Sequence, residues 1–306
     1  GFSVAALLVS PPSKGLFHKA IVQSGGFARM ALHSSDNSDN GYSASDLGTR
    51  FGELCDIPTG PDQLKNMRDL PVEKIIDVGK IGFSSSFFVD GKSILSPVMK
   101  SFEDGLNHKV PTIIGTNADE GTALYWGSPL ADVPPPINSV EKYRLIIADK
   151  FGEKSDEILS IYPASDKEEM IRSSKSLLGD SLFGAPSYFA AKSMAKRGES
   201  IYFYHFNQKP SGKAGELLGA FHAYEIGYVF GVGGLGPIEN QYLSDTMLSY
   251  WTNFATNGNP NSDSLPAWET MKSDKNTWHV LGPEIGEKEI DRMEIYSLLE
   301  DLEFVT

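Results

Sequence analysis

The chain has 306 residues, 40% of them hydrophobic, and its 40 acidic against 27 basic side chains give a net charge of -13. That length allows a sizeable core, while the acidic balance excludes the basic stripe that nucleic-acid binding requires. No apolar run reaches the roughly 18 to 20 residues of a membrane helix, and the single cysteine, Cys55, has no partner for a bridge within the chain and reads as a buried, unreactive thiol.

In chain order, Ala5 to Val9 is apolar and reads as a buried helix stopped by Pro11-Pro12. Ala20 to Val22 reads as a buried strand. The polar run His33 to Ser45 is a surface loop, and Ser43-Ala44-Ser45-Asp46 marks a helix start leading into Leu47 to Leu54. Residues 61–80 suggest short helices with Leu64, Met67, Leu70, Ile75 and Ile76 as core positions. Phe83, Phe87 and Phe88 then precede a turn at Asp90-Gly91.

Val110 to Ile114 is a β-branched run ended by Gly115, the pattern of a buried parallel strand. Asp119 and Glu120 therefore fall on the loop leaving its carboxyl end, where open α/β sheets collect active-site residues. After a proline-rich connection at 129–136, helical spacing returns at 140–151, 157–162 and 167–178. A longer helix is expected over 181–196, with Pro186 in its first turns. Ile201 to Phe206 is the next strand, Tyr242 to Thr256 a helix with a strong stop at Asn257-Gly258-Asn259-Pro260, and Trp268 with the strand Thr277 to Leu281 closes the sheet. There are no internal repeats, and the alternation of strands with helices indicates an α/β fold.

The chemistry turns on His222, placed between Gly219 and Gly227 on a loop. A histidine so placed can titrate near neutral pH and swing toward a reacting group, provided a carboxylate orients it. Asp119 and Glu120 are the candidates, and spacing alone does not separate two adjacent carboxylates.

Three stretches together resemble the type-B carboxylesterase family of α/β-hydrolases, to which the cholinesterases also belong. They are Gly1-Phe2-Ser3-Val4-Ala5-Ala6 with Gln23-Ser24-Gly25-Gly26, Asn117-Ala118-Asp119-Glu120-Gly121, and His222-Ala223-Tyr224-Glu225. Tyr250-Trp251-Thr252-Asn253-Phe254-Ala255 with Gly258-Asn259-Pro260-Asn261 also matches, so the similarity runs almost the whole length. The resemblance implies a partial α/β-hydrolase fold, with residues 1–306 as the carboxyl-terminal portion of one domain. It implies His222 as general base and acid, Glu120 rather than Asp119 as the orienting acid, and Asp119 as a cap for the following turn. It also implies Ser3 and Glu225 in a hydrogen-bonded layer around the histidine, although a helix-start carboxylate is an equal reading of Glu225. Phe83, Phe87 and Phe88 are implied to shape the acyl side of a substrate gorge, although a plain core role fits them as well.

In that family the segment matching Gly1-Phe2-Ser3-Val4 follows directly on a Gly-Glu-Ser-Ala-Gly nucleophile elbow, so the attacking serine is expected upstream of Gly1. Elbows need a sharp strand-to-helix turn with flanking glycines. Gly198-Glu199-Ser200-Ile201-Tyr202 and Gly41-Tyr42-Ser43-Ala44-Ser45 both lack the last glycine. Gly179-Asp180-Ser181-Leu182 spells the block of another esterase family, but no histidine here has the aspartate three residues earlier that this family calls for. His18, His33, His108, His205 and His279 show no metal-ligand spacing and read as surface or packing residues. Gly231-Val232-Gly233-Gly234-Leu235-Gly236 fits Gly-x-Gly-x-x-Gly, but Pro237 follows where a helix should start and no βαβ unit surrounds it, so it does not read as a nucleotide site.

The expectation is a serine carboxylesterase acting on small-molecule esters through an acyl-enzyme, with no cofactor and no metal. The isolated stretch is expected to be inactive, and association with the missing amino-terminal part or with a second copy is left open. The alternative is a non-catalytic, cholinesterase-like binding or adhesion protein. Neither the natural ester nor the compartment is legible in these residues.

Overall fold

The computed structural model describes residues 1–26, 43–80, 87–125 and 137–301, without the side chains of residues 80 and 301. Helix α1 (Phe2–Val9) leads into strand β1 (Ala20–Gln23). The crossover to β2 (Thr112–Asn117) carries α2 (Ala44–Leu54), α3 (Gln63–Arg68), α4 (Val72–Lys80) and α5 (Val98–Glu103). Helices α6 (Glu120–Tyr125), α7 (Val140–Phe151), α8 (Ser155–Ile161), α9 (Lys167–Gly179) and α10 (Ala185–Lys196) follow before β3 (Ile201–Phe206). After α11 (Gly212–Leu218), α12 (Glu225–Phe230) and α13 (Gln241–Asn257), the chain runs through β4 (Thr277–Leu281), β5 (Gly286–Glu289) and α14 (Met293–Asp301).

The five strands pair in the order β1-β2-β3-β4-β5, parallel at the first three junctions and antiparallel at the last. The two-residue period of a strand divides the core between the two sheet faces. Ile114, Ile201, Phe203, Trp278 and Val280 pack with α1, α5, α10 and α14, while Ile113, Tyr202, Tyr204, Phe206 and Leu281 pack with α12 and α13. Gly115 is required by that packing, because a Cβ there would overlap the Tyr204 ring on the neighbouring strand. All six residues of β2 are buried, as expected of a central parallel strand covered on both sides.

Several sequence expectations meet their elements directly. Ser43 caps α2 in a capping box with Asp46, the 140–151 helix has those bounds, and α13 stops at Gly258 in the left-handed conformation. Asp90 accepts the backbone N–H groups of Lys92, Ser93 and Ile94, which closes the expected turn. Cys55 is buried, in a small cluster with Ile57 and Val78.

Others need correction. Leu64, Ile75 and Ile76 are exposed, and only Met67 and Leu70 of the five proposed core positions pack, against that same small cluster. Short helices on a sheet's periphery carry apolar residues that the local spacing cannot distinguish from core. The expected 181–196 helix is a π-helical turn, Asp180–Gly184, joined to α10, which starts with Pro186 in its first turn. The sheet does not close at β4, since the short charged strand Gly286-Glu287-Lys288-Glu289 forms its edge. Most of the expected 33–45 loop, and Phe83, lie outside the described residues. No helix among the described residues is long and apolar enough to cross a membrane.

Candidate active site

Strand β2 ends at Asn117, and after two intervening residues α6 begins at Glu120, which is only 2% exposed. Its Oε1 accepts the backbone N–H of Asn117 at 2.7 Å and the Ser24 hydroxyl at 2.5 Å. The other oxygen, Oε2, lies 2.6 Å from His222 Nδ1. Residues 102 positions apart thus meet at the carboxyl edge of the sheet.

The His222 loop is moored by neighbouring backbone. Asp119 N–H donates to the Ala220 carbonyl (3.0 Å), Ala220 N–H returns to the Asp119 carboxylate (2.7 Å), and the Asn117 amide donates to the Phe221 carbonyl (2.8 Å). Asp119 therefore fastens the histidine loop with its side chain; the expected capping role for that side chain is replaced by this bridge. Ala223, immediately after the histidine, sits at φ 70°. A left-handed alanine is uncommon and costs about 1 to 2 kcal/mol, which the surrounding mooring offsets.

An ionised carboxylate only accepts, so Nδ1 carries the proton and the lone pair is at Nε2. Among the described residues, Nε2 has no hydrogen-bond partner. One ring face packs on Phe183 of the π-helical turn, at 5.0 Å between centroids. Burial pulls the His222 pKa down, but the Glu120 hydrogen bond and charge, with a contribution from Glu225, outweigh it and leave the ring more basic than an ordinary histidine.

Glu225 begins α12 and is also 2% exposed. Its carboxylate accepts from Gln23 Nε2 at 2.9 Å and Asn117 Nδ2 at 2.6 Å. It is therefore bonded to two strand-end amides, where the sequence left a local first-turn role equally open. Ser3 lies exposed on α1 with no side-chain hydrogen bond among the described residues. Phe87 and Phe88 are 41% and 43% exposed and make no ring contact with His222.

Residues 1–295 match the model of the carboxylesterase family. The chain belongs to that family. This carboxylesterase chain is similar to a protein described as the medium-chain fatty acyl-CoA hydrolase precursor of Anas platyrhynchos, with 30% identity over 90% of the chain and 52% of the relative. It is also similar to the liver carboxylesterase of Sus scrofa (28% identity, 88% and 52%) and to the para-nitrobenzyl esterase of Bacillus subtilis strain 168 (28% identity, 93% and 57%). The chain spans about half the length of the curated relatives it matches. The five-stranded sheet with its covering helices is accordingly a partial α/β-hydrolase fold.

None of the other described histidines bonds Glu120 or His222. His205 stacks on Trp278 at 3.9 Å, and burial lowers its pKa to about 3. His279 stacks on Trp268, and burial lowers it to about 4. His108 bonds the Ser13 hydroxyl and the Ser10 carbonyl at the end of α1, while His33 lies outside the described residues. No group of three or more metal-ligating side chains occurs among the described residues. The Gly231 to Gly236 run lies between α12 and α13, so it lacks the preceding strand that a phosphate cradle uses.

Sequence reasoning gave no role to Ser24, Gln23, Asn117 or Phe183. The first three are polar residues ending buried apolar strands at the sheet's carboxyl edge, and that position is itself a legible signal. Phe183 had none, because a π-helical turn is not visible in helical spacing.

Proposed function

We propose that this chain is the carboxyl-terminal portion of a single α/β-hydrolase domain that hydrolyses small-molecule carboxylic esters through an acyl-enzyme. His222 is the general base and acid, and Glu120 its orienting carboxylate. The nucleophilic serine comes from polypeptide outside residues 1–306. The observation that carries the reading is the 2.6 Å contact between buried Glu120 and His222 Nδ1, which leaves Nε2 unpaired.

In this mechanism the serine oxygen attacks the ester carbonyl while Nε2 takes its proton. Nε2 then gives that proton to the departing alcohol as the carbon–oxygen bond breaks. A water, deprotonated by the same nitrogen, releases the acid and restores the serine. Glu120 stays ionised throughout and stabilises the imidazolium formed at each step. The relatives, by name an acyl-CoA hydrolase and two esterases, support acyl transfer to water as the reaction class.

The test is hydrolysis of p-nitrophenyl acetate by the assembled enzyme, meaning this chain together with the polypeptide that supplies the serine. His222→Ala should lower kcat by several orders of magnitude with little effect on fold. Unchanged turnover would overturn His222 as the base, while no hydrolysis of any ester by the intact protein would favour the non-catalytic binding reading.

A further inference from the structure

A second line of hydrogen bonds reaches the site from α13. Trp251 Nε1–H donates to Gln23 Oε1 at 3.1 Å, Gln23 Nε2–H donates to Glu225 Oε1 at 2.9 Å, and Asn117 Nδ2–H donates to Glu225 Oε2 at 2.6 Å. An indole N–H can only donate, so the Gln23 amide must turn its oxygen to Trp251 and its nitrogen to Glu225. A backbone carbonyl can only accept, so the bond to Phe221 fixes the Asn117 amide in the same sense. Both side-chain amides therefore offer Glu225 a donor, and neither offers an acceptor for a proton on its carboxyl group.

We propose that Trp251 and Gln23 are positioning residues that hold buried Glu225 as a carboxylate and thereby support His222 as the base. The proposal rests on His222 being the base. The ionisable groups facing Glu225 are Glu120 on α6, His222 on its loop and Tyr204 on β3. Burial and the Glu120 charge push the Glu225 carboxyl toward its protonated form, and the Asn117 and Gln23 bonds oppose that. If Gln23 could flip, its oxygen would accept that proton and Glu225 would become neutral. Trp251 prevents the flip from one layer further out. It packs edge-on against Tyr204 and beside Trp268, contacts that phenylalanine would largely retain.

The test uses the assembled enzyme with p-nitrophenyl acetate, measuring kcat, KM and the pH profile of kcat/KM. Trp251→Phe should move the acid limb to lower pH, because a His222 without the neighbouring charge is less basic. Plateau kcat should fall on the order of tenfold, the scale of a lost bond to a buried charge, with KM unchanged. Gln23→Leu should do the same if the tryptophan variant folds poorly. In a Glu225→Gln background, Trp251→Phe should shift the limb no further, since the two act through one carboxylate. A limb that stays in place in both Trp251→Phe and Gln23→Leu, or a shift that persists without Glu225, overturns the proposal while leaving His222 as base. Retained turnover in His222→Gln overturns the base assignment itself.

Discussion

Asp119 and Glu120 are neighbours in sequence, yet their carboxylates turn to different partners. Glu120 meets His222 Nδ1 at 2.6 Å, and Asp119 accepts the backbone N–H of Ala220 at 2.7 Å, two residues before that histidine. One carboxylate faces the ring and the other holds the loop that carries it. Their isosteric amides should differ accordingly. Glu120→Gln removes the charge that stabilises the imidazolium in the proposed mechanism and should lower kcat by about 10³ to 10⁴-fold. Asp119→Asn keeps an oxygen for the Ala220 N–H and should cost less than about tenfold. Steady-state kinetics on the two variants of the assembled enzyme checks the order, and equal losses would reassign the acid.

In the proposed mechanism the basicity of His222 sets the pH at which activity begins. Glu120, aided by Glu225, raises the ring above an ordinary histidine, so the neutral base is lost to protonation at a higher pH than usual. The acid limb of kcat/KM should therefore lie above about 6.5. For stability the sign is the same as for any group with a raised folded pKa. The contribution of the His222–Glu120 contact is fully present below the unfolded value and is lost as pH rises through the folded one. Denaturant midpoints of wild type and His222→Gln across pH 5 to 9 should converge at the alkaline end.

The sheet and most long helices were legible because each is a local pattern. Val110 to Ile114 is continuous and β-branched, and residues 140–151 keep a helical spacing between a serine cap and a glycine stop. The approach of Glu120 to His222 was legible only through resemblance, since no local rule joins positions 102 apart. What escaped was nonlocal or irregular. Ser24 follows a four-residue strand at φ 50° and gains its role only from β2 beside it. Phe183 depends on a π-helical turn held in place by an ion pair with a residue 112 positions away from Asp180. Leu64, Ile75 and Ile76 looked like core because apolar spacing says which face is apolar, and not whether anything covers it.

Gly115 lies directly opposite Tyr204 in the β2–β3 register, and the Tyr204 ring occupies the space a Cβ would need. Both residues are buried, so neither strand can yield toward solvent. Gly115→Ala should destabilise the protein by about 1 to 3 kcal/mol, the usual cost of overpacking a tight core. Tyr204→Phe in the same background should not rescue it, because the conflict is with the ring and not the hydroxyl. Urea denaturation of wild type, Gly115→Ala and the double variant decides between these.

The π-helical turn that sets Phe183 against His222 is anchored at Asp180, which is buried and carries a two-point ion pair with Arg292 and a 2.7 Å bond from the Tyr162 hydroxyl. Burial pushes the Asp180 carboxyl up from its ordinary value, and Arg292 opposes that. Arg292→Met leaves the carboxyl buried without its counter-charge and should cost about 3 to 5 kcal/mol near neutral pH. With its folded pKa raised further, Asp180 binds a proton more readily folded than unfolded, so this loss should shrink as pH falls toward the ordinary carboxylate value of 3.8. Adding Asp180→Asn to Arg292→Met should recover part of the stability at pH 7, because the uncompensated charge is gone. Thermal unfolding at pH 7 and pH 5 measures both effects, and a pH-independent loss in Arg292→Met would show that packing, rather than charge, holds the turn.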